Sequence, residues 1–87
     1  MSETWTEFIF IFNDLWRADN GAEAARAKGW DVQILPADGG GRHFQARLRV
    51  GRPMDIDEQD RRSEDLRRML AAHRGRYQGG STFHRSV

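Results

Sequence analysis

The order of strand and helix patterns along the chain predicts an α+β fold. Over 87 residues the hydrophobic periodicity changes in the order strand, helix, strand, strand, helix, strand. The first strand pattern is apolar at every position from Phe8 to Phe12, which places this strand inside the sheet. Together these observations predict a ferredoxin-like split β-α-β sandwich: a four-stranded antiparallel sheet in the order 4-1-3-2, with two helices on one face. The uncovered face is then the first place to look for function.

The first strand is expected at residues 4–12, where phenylalanines alternate with isoleucines. Asn13 or Asp14 is a good N-cap for the helix that follows, and alanines then repeat at helical spacing up to residue 28. Asn20 and the glycine after it interrupt that pattern. The helix therefore either runs on from Asp14 with a weak middle, which we prefer, or begins near Asn20. Gly29 fits the position just past its end.

The second and third strands are expected at residues 30–35 and 42–50, joined by a glycine-rich turn. The third strand has the clearest alternation in the chain. Its core set is Phe44, Ala46, Leu48 and Val50, and its polar set is His43, Gln45, Arg47 and Arg49.

The second helix is expected to begin at a cap provided by Asp55 or Asp57 and to end at Gly75. The last strand follows at residues 76–83, where Gly79-Gly80 indicates a bulge or an edge position. The residues expected to be largely buried are Trp30, Ile34, Phe44, Leu48, Leu66, Leu70 and Tyr77.

Length and composition indicate one domain over residues 1–87. The chain has no cysteine, which excludes disulfides and thiolate chemistry. No apolar run is long enough to span a membrane, and we expect a cytoplasmic protein. Net charge is only +1, but residues 1–41 are acidic overall and residues 42–87 are rich in arginine. The sequence pI of 8.4 argues against a dedicated nucleic-acid coat.

No pattern in the chain predicts catalysis, a metal or a cofactor. The three histidines do not form a metal-binding pair. The glycines at 39–41 precede a strand, whereas a phosphate loop needs a helix N-terminus after it. The acidic residues at 55–60 open a helix, where acids are expected in any case. We therefore expect a non-enzymatic protein without cofactors.

The open sheet face is the candidate site, because the third strand should place Arg47 and Arg49 there beside apolar side chains of the first strand. An apolar stripe beside arginine is typical of protein interfaces. The expected partner is a second copy of the chain or an acidic protein, and both arginines are expected to be replaceable without harm to the fold. Single-stranded RNA is the weaker alternative, since the third strand lacks outward aromatic residues. A dimer with a ligand pocket between facing sheets is a further alternative.

Two short motifs carry a resemblance to a known family. Gly29-Trp30 joins the first helix to the second strand, and Tyr77-Gln78-Gly79-Gly80 opens the last strand. Over about residues 5–83 the chain resembles the regulator of ribonuclease E activity B family, in which the second motif is usually Tyr-Asp-Gly-Trp. The resemblance implies a non-enzymatic protein that binds an endoribonuclease and damps RNA cleavage. With it, the expected partner-binding set is His43, Gln45, Arg47, Arg49 and Tyr77.

Overall fold

A computed structural model describes residues 2–86 and confirms the ferredoxin-like α+β fold. The sheet has the order β2-β3-β1-β4 with every neighbouring pair antiparallel, which is the predicted order read from the other edge. The elements are β1 (Ser2–Phe12), α1 (Leu15–Arg26), β2 (Asp31–Pro36), β3 (Phe44–Val50), α2 (Ile56–Ala71) and β4 (Arg76–Ser86).

The core lies between one sheet face and both helices. On β1 the three phenylalanines Phe8, Phe10 and Phe12 are fully buried, and Leu48 of β3 lies opposite Phe8 in the register. Alanines of α1 and leucines of α2 pack on them from the helix layer. Of the residues expected in the core, Leu48, Leu66 and Leu70 are buried, whereas Trp30, Ile34, Phe44 and Tyr77 are only partly buried and pack around its edge. A single helix layer over a small sheet cannot enclose large side chains at the margin.

Helix α1 runs unbroken through Asn20 and Gly21, so the longer of the two predicted helices is correct. The Asp14 side chain caps it by accepting a hydrogen bond from the Arg17 N–H at 2.8 Å. Gly21 is buried where the helix meets the sheet, and a Cβ added there would lie 2.8 Å from the Phe12 ring. The glycine that weakens the helix pattern in the sequence thus permits close helix–sheet packing.

Helix α2 begins at the cap Asp55, whose side chain accepts a hydrogen bond from the Glu58 N–H at 2.8 Å. Its end differs from the expected one. Arg74, rather than Gly75, takes the left-handed conformation at φ 60°. Gly75 is needed for space instead, because a Cβ there would lie 2.8 Å from the Phe12 ring.

Strand β4 is both an edge strand and a bulged one. Gly79 pairs with Ile9, but Tyr77 pairs with Phe10, so Gln78 is the extra residue. The bulge puts Tyr77 on the helix-covered face while Gly79 lies on the open face. Beyond it β4 continues to Ser86 alongside the start of β1, so the inner strand β1 and the edge strand β4 are both longer than predicted.

Candidate functional site: the open sheet face

The sheet face that carries no helix is formed by alternate residues of all four strands. Their placement follows from the register, which pairs Glu7 with Arg49 and Trp5 with Phe83 across neighbouring strands. We call this surface the open face; its side chains are those of Glu3, Trp5, Glu7, Ile9, Ile11, Asp31, Gln33, Leu35, Gln45, Arg47, Arg49, Arg76, Ser81, Phe83 and Arg85.

Glu7 is the central polar residue of the open face, and its side chain is only 6% exposed. Its Oε1 accepts hydrogen bonds from Trp5 Nε1 at 3.0 Å, from Arg49 Nε at 3.1 Å and from Arg49 Nη2 at 2.7 Å. A carboxylate this far from water is costly unless it is paired and hydrogen-bonded, and here it is both. Glu7 therefore fixes the side chains of two neighbours, one on its own strand and one on β3.

Trp5 is held between cations and a second aromatic ring. Its ring stacks on Phe83, with centroids 5.6 Å apart and planes inclined by 20°. The Arg49 guanidinium carbon lies 4.8 Å from the Trp5 centroid, and that of Arg85 lies 5.7 Å away. Arg85 also forms an ion pair with Glu3. We call these residues, Glu3, Trp5, Glu7, Arg49, Phe83 and Arg85, the Trp5 cluster. Phe83 remains 40% exposed, so the cluster presents apolar surface to solvent.

Shallow depressions flank the cluster because β4 is poor in side chains there. One of about 270 Å³ is bounded by Trp5, Ile9, Arg47 and Phe83, among others. Another of about 230 Å³ lies over the β4 glycines. A Cβ added at Gly79 would meet no atom within 4 Å, which shows how open the surface is at that point. The open face thus has a raised aromatic pair, Trp5 and Phe83, beside a depression. We call this pair the aromatic ridge; the depression beside it can accept side chains of a partner.

Three of the five expected partner-binding residues lie on the open face: Gln45, Arg47 and Arg49. Arg47 donates its Nε–H to Gln45 Oε1 at 3.0 Å. Tyr77 lies on the opposite face, where its ring packs near Phe10 with centroids 5.2 Å apart and the Arg67 guanidinium carbon lies 5.0 Å from its centroid. The bulge in β4 therefore separates Tyr77 from these three residues.

His43 lies just before β3 and belongs to the β2–β3 turn. Its backbone oxygen accepts a hydrogen bond from the Ala37 N–H at 2.9 Å, and its Nδ1 lies 2.7 Å from Asp38 Oδ2. The hydrogen bond with His43 is the main cause that lowers the pKa of Asp38. The geometry gives His43 a structural role in closing the turn.

Sequence reasoning missed Trp5, Glu7 and Phe83 as site residues. The signal was present: Trp5 and Glu7 precede Ile9 by even steps, so they share its face of the strand. The corresponding signal on β4 was hidden, because Phe83 was the last residue of the predicted strand and its pairing with Trp5 could not be read from the sequence. The bulge also breaks the simple alternation from which that placement would be read.

Charge on the open face is largely balanced within the chain. Arg49 is paired with Glu7 and Arg85 with Glu3. Asp31 and Arg47, in contrast, form no ion pair with any residue between 2 and 86. Arg49 neutralises a buried carboxylate, so we expect its replacement to destabilise the fold, unlike the expectation drawn from the sequence. Arg47 still fits that expectation.

A second concave surface lies on the helix side, between the end of α1 and α2. It has a volume of about 360 Å³, and Trp30, Leu66 and Met69 line it together with charged residues. Within residues 2–86, no group of three or more side chains could hold a metal ion. Neither helix of the described chain has the length and apolar character needed to cross a membrane. The open face, with its fixed aromatic ridge, is the stronger candidate site.

Comparison with known proteins supports the fold and nothing finer. No family model matches the chain, and no curated protein matches it. A solved structure from Bordetella bronchiseptica, provisionally named an antibiotic biosynthesis monooxygenase, is similar with a TM-score of 0.51 at 10% identity, over 100% of this chain and 98% of that one. A de novo designed protein, Foldit4, gives a TM-score of 0.48 at 12% identity over 98% of each chain. At such low identity the Bordetella structure shows only a shared α+β fold.

Proposed function

We propose that this domain is a non-enzymatic binding module that contacts another protein through the open face. The observation that carries the proposal is the Trp5 cluster, in which the half-buried Trp5 and the exposed Phe83 stack on each other, and Trp5 is held by the ion pair between Arg49 and the buried Glu7. Tryptophan and arginine are enriched among the residues that dominate binding energy at protein interfaces. A rigid aromatic ridge also loses little side-chain entropy when it is covered.

The resemblance to the ribonuclease E regulator family makes an endoribonuclease one candidate partner. In that case the domain would reduce RNA cleavage by covering part of the enzyme surface. The pairing of Arg49 and Arg85 with glutamates leaves the open face close to neutral. A neutral aromatic ridge recognises a partner mainly by shape and apolar contact, so the partner need not be acidic.

The test compares two apolar-to-charged changes on opposite faces. Phe83→Asp places a charge on the aromatic ridge, while Ile56→Asp is the control, since Ile56 is 75% exposed at the start of α2. Affinity capture from the source cell is expected to lose its specific partner with Phe83→Asp and to keep it with Ile56→Asp. Equal capture by both variants would move the working surface away from the open face.

The endoribonuclease partner has its own assay. Cleavage of a fluorogenic RNA by purified ribonuclease E is expected to slow when the parent domain is added. With the Phe83→Asp variant in place of the parent, the cleavage rate is expected to stay at that of the enzyme alone. An unchanged cleavage rate at saturating domain removes this partner, but it leaves the binding-module proposal to the capture experiment.

Single-stranded RNA is the second candidate ligand, and the structure supplies an observation in its favour. Trp5 and Phe83 provide the outward aromatic rings that the third strand lacks, with Arg49 and Arg85 beside them. Stacked bases on such rings would give binding that falls steeply with salt. The paired state of both arginines weakens this alternative. A salt titration with a fluorescent oligonucleotide decides it. Absent binding, or binding that does not weaken as salt is raised, excludes RNA.

A further inference from the structure

We propose that a second copy of this chain occupies the open face, in a face-to-face dimer in which Asp31 of each protomer pairs with Arg47 of the other. The inference rests on the proposed function and names its protein partner. It follows from three features of the open face: its unpaired charges, its area and its aromatic ridge.

The first feature is a pair of opposite charges, on Asp31 and Arg47, that have no ion-pair partner within residues 2–86. Asp31 on β2 is exposed and Arg47 on the neighbouring β3 is half-buried. In the register Asp31 lies beside Arg49, and Arg47 lies beside Gln33. The two therefore share a face, yet they form no ion pair in the described chain. In a two-fold interface, a contact between residue i of one copy and residue j of the other occurs twice. One acid and one base on the same face can therefore form two ion pairs between the copies.

The second feature is the area of the open face. The molecule measures 37 × 27 × 20 Å, and the shortest dimension fits the thickness of one sheet and one helix layer. The two longer dimensions bound a face on the order of 1,000 Å², while a standard stable interface uses roughly 800 Å² per partner. The outline of the molecule on this side is therefore of the size that a stable dimer uses.

The third feature is exposed apolar surface with little net charge around it. Phe83 is 40% exposed beside Trp5, and the adjacent arginines are neutralised by glutamates of their own chain. Two such faces can approach without strong repulsion. Burial of the aromatic ridge would add hydrophobic stability to a domain that is too small to have a large core of its own.

The test is a charge exchange followed by sedimentation equilibrium from low micromolar to millimolar concentration. The parent is expected to dimerise. Asp31→Arg and Arg47→Glu alone each place like charges together, and each is expected to raise the dimer dissociation constant by about tenfold or more. The double variant restores opposite charges and is expected to return to within about threefold of the parent. Asp65→Arg, on exposed α2, is the control and leaves the constant unchanged.

A parent that sediments as a monomer over the whole range overturns the inference. A dimer that tolerates both single changes overturns it as well, and so does a double variant no better than the singles. These failures are distinct from failure of the proposed function. A monomeric parent that still captures another protein in a Phe83-dependent manner leaves the binding module standing with a different partner.

Discussion

Replacing Arg49 with Glu is expected to destabilise the fold, whereas the same change at Arg47 is expected to be mild. The two positions lie on one strand, two residues apart, and face the same side. They differ in what they neutralise. Arg49 gives two hydrogen bonds to Glu7, whose side chain is 6% exposed, while Arg47 gives one to Gln45. The comparison isolates the role of the buried carboxylate.

The magnitude of the Arg49→Glu effect follows from the contacts that are lost. Hydrogen bonds to charged groups contribute about 1.5–3 kcal/mol each, and a partly exposed cation–π contact adds about 0.5–1 kcal/mol. Breaking a buried ion pair by removing one partner costs about 3–5 kcal/mol. Because the Arg49 side chain is 47% exposed, water screens part of this loss. We therefore expect a fall of about 2–4 kcal/mol in the free energy of unfolding, against less than about 1 kcal/mol for Arg47→Glu.

Urea denaturation followed by far-ultraviolet circular dichroism measures both variants without relying on the tryptophan that the mutation disturbs. In a domain of this length, a loss of 2–4 kcal/mol corresponds to a fall of roughly 10–25 °C in melting temperature. Arg49→Met is a useful third variant, since it removes the cation without adding a second carboxylate, and it should fall between the other two. Equal denaturation midpoints for Arg49→Glu and Arg47→Glu would refute the role assigned to Glu7.

Three further predictions concern the core, the bulged strand and acid stability. Leu70 is 1% exposed, so Leu70→Ala should lower the free energy of unfolding by about 2–5 kcal/mol in chemical denaturation; a melt identical to that of the parent would show that the core is misplaced. Gly80→Ala puts a Cβ 2.6 Å from the Phe8 ring and should cost about 1–3 kcal/mol, whereas Gly51→Ala, with open space around it, should unfold like the parent. The pKa of Asp38 is lowered in the folded state. Its stabilising contribution is therefore present above the ordinary pKa of 3.8 and is lost as pH falls through the lowered pKa. Asp38→Asn should flatten the acid side of the curve of unfolding free energy against pH, and an unchanged slope would contradict this.

The fold could be predicted from the sequence because local periodicity and topology agree. A strand that is apolar on both faces must lie inside a sheet, and this predicts an interior position for the first strand. The position of β1 between β3 and β4 confirms this reasoning. The glycines were harder to interpret, because Gly21 and Gly75 serve close packing against Phe12, a contact distant in sequence.

The candidate site was predicted less well, since it depends on which residues meet across strands. Arg47 and Arg49 were placed on the open face from alternation within β3 alone. Their different roles depend on partners in other strands: Glu7 faces Arg49, while Ile9 faces Arg47. Alternation gives the face of a residue but not its cross-strand neighbour, so two arginines that look equivalent in the sequence differ in the structure.

The Glu7 network also explains how the open face can be both exposed and ordered. A half-buried tryptophan at a surface can sample several rotamers, and fixing it on binding costs free energy. Here the Trp5 indole N–H is held by Glu7 at 3.0 Å, and the ring lies against Phe83 and under Arg49. The unbound domain therefore already holds the conformation that a partner would cover. Removing the Glu7 carboxylate should accordingly weaken binding even where the fold survives, because the ridge must then be ordered at the moment of contact.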